Sequence, residues 1–243
     1  MYSTIQKEPT TEFYNNLQKI YYEFNKSLFD NRLSNCMITL QRQHGTMGYF
    51  SPNRFVNKDG SVTHEIALNP SYFAQKNVIE VFQTLVHEMA HLWQYDHGKT
   101  SRKSYHNKEW ADKMESIGLM PSSTGRKGGN KTGQKMSDYP IKNSLFEQKS
   151  LEILESKLFI QWFERNSLGD HYFEMQEQLN SMEDEIGLYT PISNIIPNIQ
   201  ESNVLVAKKK IKSKYTCECG INLWGRPSLH INCNDCGYDF TES

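Results

Sequence analysis

The chain has 243 residues and a formal net charge of −1, so its overall charge indicates neither a nucleic acid nor a membrane surface as a partner. Hydrophobic residues make up 37% and aromatic residues 12%, proportions that are typical of a globular protein with polar connecting segments. No run approaches the roughly 18 apolar residues of a membrane-spanning helix, and the first residues lack the pattern of a signal peptide. We therefore expect a cytoplasmic protein without membrane contact.

Apolar periodicity predicts a first helix over residues 11–29, with one face packed in the core. Residues 36–41 and 63–68 have the composition of strands, and residues 45–52 are a candidate for another strand. His44 and His64 lie in this predicted sheet. A structural role is favoured for both, because no second metal ligand accompanies either of them.

Residues 78–97 predict one amphipathic helix, since they include no Gly or Pro and their apolar side chains recur every three or four positions. This helix carries the motif His-Glu-x-x-His. His87 and His91 are four positions apart, so they share one helix face and can bind one metal ion together. Glu88 is placed to act as the general base of a zinc hydrolase. The alternative is a helix with two ordinary histidines.

A catalytic zinc ion usually has three protein ligands, so a third ligand is needed. His97 stands where the extended motif H-E-x-x-H-x-x-G-x-x-H places it, but Gln94 replaces the Gly that turns the chain back. Glu109 offers a carboxylate from a second predicted helix. His106 follows a polar loop and begins that helix, which favours it, although its position alone fits a solvated loop histidine almost as well.

The stretch TLVHEMAHLWQYDHGKTSRKSYHNKEWADKMESIGLMPSSTG resembles the SprT-like metalloprotease domain, the family that includes Spartan. The resemblance covers residues 10–140 and implies an α+β, zincin-like fold with helices and a small, mainly antiparallel sheet. In zincin-type enzymes an edge strand holds an extended substrate, and by analogy we expect segment 63–68 to be that strand. The resemblance also implies a zinc site with Glu88 as the base and three ligands: His87, His91 and His106.

Basic residues are concentrated after the motif helix. Residues 99–135 contain nine lysines and arginines against three acidic residues. Within them, residues 122–135 are rich in Gly, Ser and Lys and predict a flexible loop. A solvated surface is one interpretation, and a basic rim that contacts nucleic-acid phosphates beside the cleft is the other.

Residues 141–207 are assigned to a helical and acidic insert and linker. Residues 145–165 predict an apolar amphipathic helix, and an acidic stretch that includes residues 183–185 follows. Such a helix is a poor contact for DNA, whereas it suits packing on the catalytic domain or binding of a protein partner. The predicted stripe consists of Leu151, Leu154, Leu158 and Trp162.

Four of the five cysteines cluster near the end of the sequence, in the pattern C-x-C, thirteen residues, C-x-x-C. In a reducing cytosol this pattern favours a metal site over two disulfides. Two close pairs of thiolates near Gly turns suit a closed tetrahedral zinc site, and SprT-like proteins often carry a C-terminal zinc ribbon. We therefore assign residues 208–243 to a zinc ribbon with four ligands: Cys217, Cys219, Cys233 and Cys236.

The ribbon also has features that suit nucleic acid. Trp224 and Arg226, together with the lysines at 208–210, indicate a surface that stacks on bases and contacts phosphates. Single-stranded DNA is therefore the favoured nucleic-acid partner.

The sequence thus predicts a hydrolase with one catalytic and one structural zinc ion, namely a zinc metalloendopeptidase. The resemblance implies that its substrates are DNA-associated or DNA-crosslinked proteins, that DNA promotes its activity, and that it serves DNA–protein crosslink repair. One alternative is a non-proteolytic nucleic-acid-binding accessory protein that retains the zincin fold, although the intact Glu88 argues against it. Another is a regulator that binds a protein partner through the 145–165 helix.

Overall fold

The computed structural model describes residues 8–102, 105–164, 187–195 and 212–242. These residues belong to two compact units that meet in sequence between Asn198 and Ile199. The acidic residues 183–185 and the lysines at 208–210 lie outside the described residues, so the expectations placed on them stay predictions. The proposed boundaries of the catalytic domain, the insert and the ribbon also stay predictions.

The larger unit begins with helix α1, Pro9–Leu28, close to the predicted 11–29. Pro9 suits the first helical turn, because the backbone donors there have no partner within the helix. One side chain in every three or four is buried, as the periodicity predicts. The buried apolar residues of α1 are Phe13, Leu17, Ile20, Tyr21, Phe24 and Leu28.

A three-stranded sheet follows, built from β1 (Cys36–Leu40), β2 (Gly48–Val56) and β3 (Val62–Leu68). β3 lies in the middle, parallel to β1 and antiparallel to β2. The expectation that segment 63–68 is the edge strand is therefore wrong, because strands pair with both of its sides. Among the described strands, β2 is the edge strand that packs against the motif helix.

Helix α2, Val78–His97, spans the residues predicted for it and packs against β2 and β3. Its start is fixed by Glu80, whose carboxylate accepts the Asn77 backbone N–H at 2.9 Å. A short 3-10 helix, Pro70–Gln75, connects it to the sheet. The face of α2 that enters the core is formed by Val78, Ile79, Val81, Phe82, Leu85, Val86, Met89, Ala90 and Leu92.

Helix α3, Lys108–Ile117, ends at Gly118, which adopts a left-handed conformation with φ 103° that glycine tolerates best. The hairpin of β4 (Leu119–Ser122) and β5 (Ser137–Pro140) comes next, and its strands pair antiparallel. The residues between these strands, for which the composition predicts a flexible loop, are held by backbone hydrogen bonds, including one from Ser123 N–H to the Asn130 carbonyl at 2.8 Å.

Helix α4, Leu145–Glu155, is shorter than the helix predicted over 145–165. The chain turns at Lys157, where φ is 59°, and then directs Phe159 and Ile160 into the core. The predicted apolar stripe is confirmed only in part, because Leu154 and Leu158 pack against the core while Leu151 and Trp162 are 43% and 47% exposed. Instead Phe146 and Ile153 are buried, and the Phe146 ring stacks on Phe24 of α1 at 5.9 Å.

A last short helix of this unit, α5 (Ile192–Ile195), follows a segment whose backbone binds the start of α2. The Val78 and Ile79 N–H groups donate to the carbonyls of Thr190 and Leu188. This segment therefore satisfies donors that the first turn of a helix leaves without partners.

Residues 212–242 of the smaller unit form three strands: β6 (Ser213–Thr216), β7 (Asn222–Gly225) and β8 (Thr241–Glu242). β6 is central and pairs antiparallel with both of the others. Tyr215 on β6 is fully buried, and its hydroxyl donates to the Arg226 carbonyl and accepts the Leu229 N–H.

Both units combine helices or turns with small sheets, and four of the five strand pairs formed by the described residues are antiparallel. The fold class is therefore α+β, as predicted. Among the described helices, none has the length and apolar character needed to cross a membrane.

Candidate metal centre

The motif helix α2 places His87, Glu88 and His91 beside its buried stripe. Because the stripe packs on the sheet and on α1, the orientation of α2 about its axis is fixed by the core. His87 and His91 follow each other by one helical turn, and their rings meet edge to face at 5.2 Å. Two of the predicted ligands are thus positioned by the fold itself.

His106 is brought to this pair by the start of α3. Asn107 caps that helix, since its side-chain oxygen accepts the Trp110 N–H at 3.1 Å. Gln94 of α2 donates to the same Asn107 oxygen at 2.7 Å and to Glu109 at 2.9 Å. Gln94 is buried, and its hydrogen bonds help to join α3 to α2.

The three histidines converge through their Nε2 atoms. The Nε2 atom of His106 lies 3.0 Å from that of His91 and 3.4 Å from that of His87. The ligand atoms of all three residues lie within 4.8 Å of one another. Trp110 is fully buried beneath them, and its ring contacts each imidazole, with centroid distances of 4.9, 5.2 and 4.4 Å.

The opposite ring nitrogens of two histidines have protein partners on the β4–β5 hairpin. His87 Nδ1 lies 2.7 Å from Asp138 Oδ2, and His106 Nδ1 lies 3.2 Å from the Gly133 carbonyl oxygen. His106 and Gly133 also exchange two backbone hydrogen bonds. A proton on Nδ1 leaves the Nε2 lone pair free, which is the tautomer that a metal ligand needs.

Electrostatics keep most of this cluster uncharged. Burial, and then the charge of His87, lowers the pKa of His106 to about 4 and holds the pKa of His91 well below its usual value. Burial also acts to lower the pKa of His87, but the hydrogen bond with Asp138 and the charge of Glu88 outweigh it and raise that pKa. Imidazole Nε2 atoms that converge at 3.0–3.4 Å fit a bound cation, and zinc suits such nitrogen donors.

The two other candidates for the third ligand lie outside the cluster. His97 Nε2 donates to the Arg32 carbonyl at 2.8 Å. Glu109 accepts hydrogen bonds from Gln94 and from the Lys99 N–H, the latter at 2.6 Å. The structure therefore brings His106 to the pair and gives His97 and Glu109 other partners.

Glu88 is 6% exposed and lies where β2 approaches α2. A Cβ atom on Gly48 of β2 would come within 3.4 Å of Glu88 Cγ, 3.1 Å of Thr84 Cγ2 and 2.9 Å of the Ala67 carbonyl oxygen. The absence of a side chain at Gly48 thus allows the strand to approach the helix. Burial raises the pKa of Glu88 to about 7, although the neighbouring His87 and the Phe50 backbone amide act to lower it.

His44 and His64 do not join the cluster. His64 Nδ1 accepts the Asn53 N–H at 3.0 Å, and its other ring nitrogen faces Asp96 at 3.9 Å. This contact holds an irregular part of β2, where the register shifts between Ser51 and Phe55. His44 is exposed in the connection that precedes β2. The contacts of His64 agree with the structural role that the sequence favours, whereas for His44 that role stays a prediction.

Part of the basic region after α2 is engaged within the protein. Lys108 pairs with Asp112 at 2.6 Å, and Lys131 pairs with Glu115 at 2.6 Å. Lys113 donates to the Leu28 carbonyl at 3.0 Å and lies over the rings of Phe29 and Trp93. A basic rim for phosphates would accordingly draw on the other lysines and arginines of residues 99–135.

The four predicted cysteine ligands also come together. Cys217 Sγ lies 3.2 Å from Cys236 Sγ, Cys219 Sγ lies 3.8 Å from Cys233 Sγ, and all four lie within 4.8 Å. Gly220 and Gly237, with φ of 91° and 76°, close the turn after each pair. The backbone amides of Asp235 and Cys236 lower the pKa of Cys233 to about 7, which favours a thiolate there. Although the Cys219 backbone amide acts to lower it, the pKa of Cys217 is raised to about 12 by burial and by hydrogen bonds with the other three thiols. Both clusters are thus compatible with zinc.

Three contacts around the histidines were absent from the sequence prediction: those of Asp138, Gly133 and Gln94. A ligating imidazole commonly bonds a carboxylate through its other nitrogen, but the chain has 28 acidic residues. Asp138 is 51 residues from His87, so only the folded hairpin shows which carboxylate it is. Gln94 carries a signal in the sequence, since it replaces the Gly that the extended motif has at this position.

Comparison with known proteins gives a family match in the region of the chain that contains the histidine cluster. A model of the SprT-like family matches residues 17–130. A protein described as an uncharacterized protein in the mucB 3' region of Salmonella typhimurium is 49% identical over 55 residues, which cover 23% of this chain and 74% of that protein. No solved structure gives a significant match. The match to the family model includes all three clustered histidines.

Proposed function

The chain belongs to the SprT-like family, and on that premise we propose that it is a zinc-dependent endopeptidase that cleaves DNA-associated or DNA-crosslinked proteins. Membership indicates a metallopeptidase-like domain. The observation that carries the proposal is the convergence of three histidine Nε2 atoms next to Glu88, on a helix that packs against an edge strand.

In this proposal His87, His91 and His106 hold the catalytic zinc. When bound, zinc would polarise the scissile carbonyl and make an attacking water molecule more acidic. Glu88 takes a proton from that water and passes it to the leaving amine. Burial, which raises the pKa of Glu88, helps the same carboxyl hold the proton between the two transfers.

The substrate chain would add to the sheet at β2. The outer edge of β2 has no strand partner among the described residues, and its inner edge pairs with β3. An extended peptide on this edge would exchange backbone hydrogen bonds with β2 and pass along α2 beside Glu88. Gly48 supports this assignment, because the close approach of β2 brings the edge to the carboxylate.

Two features support DNA as the partner that promotes cleavage. Residues 99–135 carry an excess of basic side chains, of which Lys99 and Lys127 are exposed. In the smaller unit Trp224 is 64% exposed, and its cross-strand neighbour is Lys214. An exposed aromatic ring beside a cation is the combination that stacks on bases of single-stranded DNA and contacts its phosphates. The structural zinc would be held by Cys217, Cys219, Cys233 and Cys236.

The decisive variant is Glu88→Gln, which keeps the size of the side chain but removes its basicity. We expect zinc content and thermal stability to stay near wild type while cleavage falls by about 10²–10⁴-fold, the range for loss of a general base. Cleavage is measured on one protein supplied free, mixed with single-stranded DNA, and crosslinked to it. Glu23→Gln makes the same chemical change on the exposed face of α1 and is the control.

Full activity of Glu88→Gln with zinc bound would contradict this mechanism. Zinc-loaded wild type that binds DNA but cleaves no substrate in any of the three forms would favour the alternative of a non-proteolytic accessory protein. Cleavage that is equal with and without DNA would retain the peptidase and remove DNA as its activator.

A further inference from the structure

Asp138 carries a buried carboxylate that the proposed mechanism does not use. Its side chain is 3% exposed. Oδ2 lies 2.7 Å from His87 Nδ1, while the buried Oδ1 has no hydrogen-bond partner within the described part of the chain. His87 is therefore the group through which this carboxylate acts.

A buried carboxylate needs a positive charge close by, since removing it from water is costly when the charge stays uncompensated. The N–H group of a neutral imidazole supplies a hydrogen bond but no net charge. When the His87 ring is neutral, a cation bound on the other side of the ring, where His87 Nε2 faces His106 Nε2 at 3.4 Å, would supply the compensating charge. Carboxylate, imidazole and cation would then lie in one line of contacts.

We propose that Asp138 is a positioning residue of the histidine metal site, fixing the ring and the Nδ1–H tautomer of His87. This inference rests on the proposed zinc site. Asp138 touches neither the substrate nor the metal in this scheme. It orients His87, and its negative charge makes His87 Nε2 a stronger ligand.

The competing explanation is that Asp138 merely attaches the hairpin to α2. The hairpin has a separate attachment at the same residue, because Gln83 Nε2 donates to the Asp138 backbone carbonyl at 2.8 Å. That bond uses the main chain and survives any change of the Asp138 side chain. β5 is also fixed by its pairing with β4, where Asp138 lies opposite Pro121. The side chain can therefore be tested without removing the other attachments.

The test measures zinc affinity of the full chain by competition with a chelator, and it does not depend on peptidase activity. We expect Asp138→Ala to weaken zinc binding at the histidine site by about 10–100-fold, as loss of a ligand's hydrogen-bond partner typically does. Asp138→Asn should weaken it less, because the amide oxygen still accepts the Nδ1–H but carries no charge. Zinc at the four cysteines is the internal reference and should be unaffected.

Gln83→Met is the matched control, since it removes the second attachment between the same hairpin and the same helix. It should lower stability slightly and leave zinc affinity unchanged. Equal affinity in wild type and Asp138→Asn, or an equal loss in Gln83→Met, would overturn the proposal. Should Asp138→Ala fail to fold, Asp138→Asn alone decides. A His106→Ala variant that binds as much zinc as wild type would instead show that the proposed metal site itself is wrong.

Discussion

The three clustered histidines of the larger unit lie on a twenty-residue helix and just before a second one, whereas the four clustered cysteines lie in turns between strands of two to four residues. The histidines rest on a continuous core that includes the fully buried Trp110. Among residues 212–242, Tyr215 is the one buried apolar side chain besides Cys217 and Cys233.

The histidine site is therefore positioned by the folded protein around it, whereas the cysteine site would depend on its metal for much of its structure. Gln94, Asp138 and the Gly133 carbonyl position the histidines through hydrogen bonds that do not use the Nε2 atoms of the cluster. The cysteines have little core around them, so zinc would supply much of the free energy that folds the smaller unit. Removing metal should therefore unfold much of the smaller unit and leave the larger unit folded.

The largest expected effect comes from Cys233→Ser. Structural zinc sites in small peptides contribute about 10–16 kcal/mol of apparent binding free energy, far more than a unit with one buried aromatic residue can replace. We expect residues 212–242 to lose protection from hydrogen exchange, measured by mass spectrometry on the full chain, while residues 8–102 keep theirs. Zinc content should fall by one ion per chain.

Cys36→Ala is the control for that experiment, because Cys36 is the fifth cysteine and lies on β1, outside the cluster. It should leave zinc content unchanged. Retained exchange protection in a Cys233→Ser protein that has lost its zinc would show that the smaller unit folds through its own side chains, and the contrast between the two sites would fail.

An intermediate effect is expected from Gly48→Ala, which tests how closely the larger unit is fitted around its site. The new Cβ would lie 2.9 Å from the Ala67 carbonyl oxygen and 3.1 Å from Thr84 Cγ2, so β2 must move away from α2. Overpacking of this kind typically costs about 1–3 kcal/mol. Displacing the edge strand from Glu88 should lower peptidase activity about 10–100-fold. Zinc content should stay at the wild-type level, because no ligand is touched.

Gly187→Ala adds the same methyl group where it meets only Thr190 Oγ1, at 3.6 Å, and is the matched control. Unfolding by denaturant gives the stability of each variant, and cleavage of one peptide gives the activity. A Gly48→Ala protein with wild-type activity would show that the distance between β2 and α2 does not govern the reaction.

The parts of the fold that follow from local patterns are predictable from the sequence. Helix α2 spans 78–97 as expected, because its periodicity and its lack of Gly and Pro act within the segment itself. The four cysteines come together in the arrangement that their spacing indicates. The ends of α1 differ from the prediction by no more than two residues.

What was not predicted depends on contacts between distant residues. Strand composition does not give strand order, so the central position of β3 appears only with its pairing to β1 and β2. Helix α4 stops at Glu155 because the turn at Lys157 lets Phe159 pack on Phe82, at a ring distance of 5.8 Å. The apolar spacing beyond residue 155 matches a helix equally well, so periodicity could not reveal the turn.

The smallest expected effect on stability comes from Trp224→Ala, which asks whether the smaller unit has a role beyond holding its own metal. Trp224 is 64% exposed, so its removal should leave exchange protection and zinc content unchanged. If the ring stacks on a base, single-stranded DNA binding should weaken by about 1–3 kcal/mol, measured by fluorescence anisotropy at fixed salt. Ile221→Ala removes a 41% exposed aliphatic side chain next to the same strand and should leave binding unchanged. Equal losses in both variants would indicate general apolar contact instead of stacking, whereas no loss in either would confine the cysteine unit to a structural role and leave DNA recognition to the basic residues beside the histidine site.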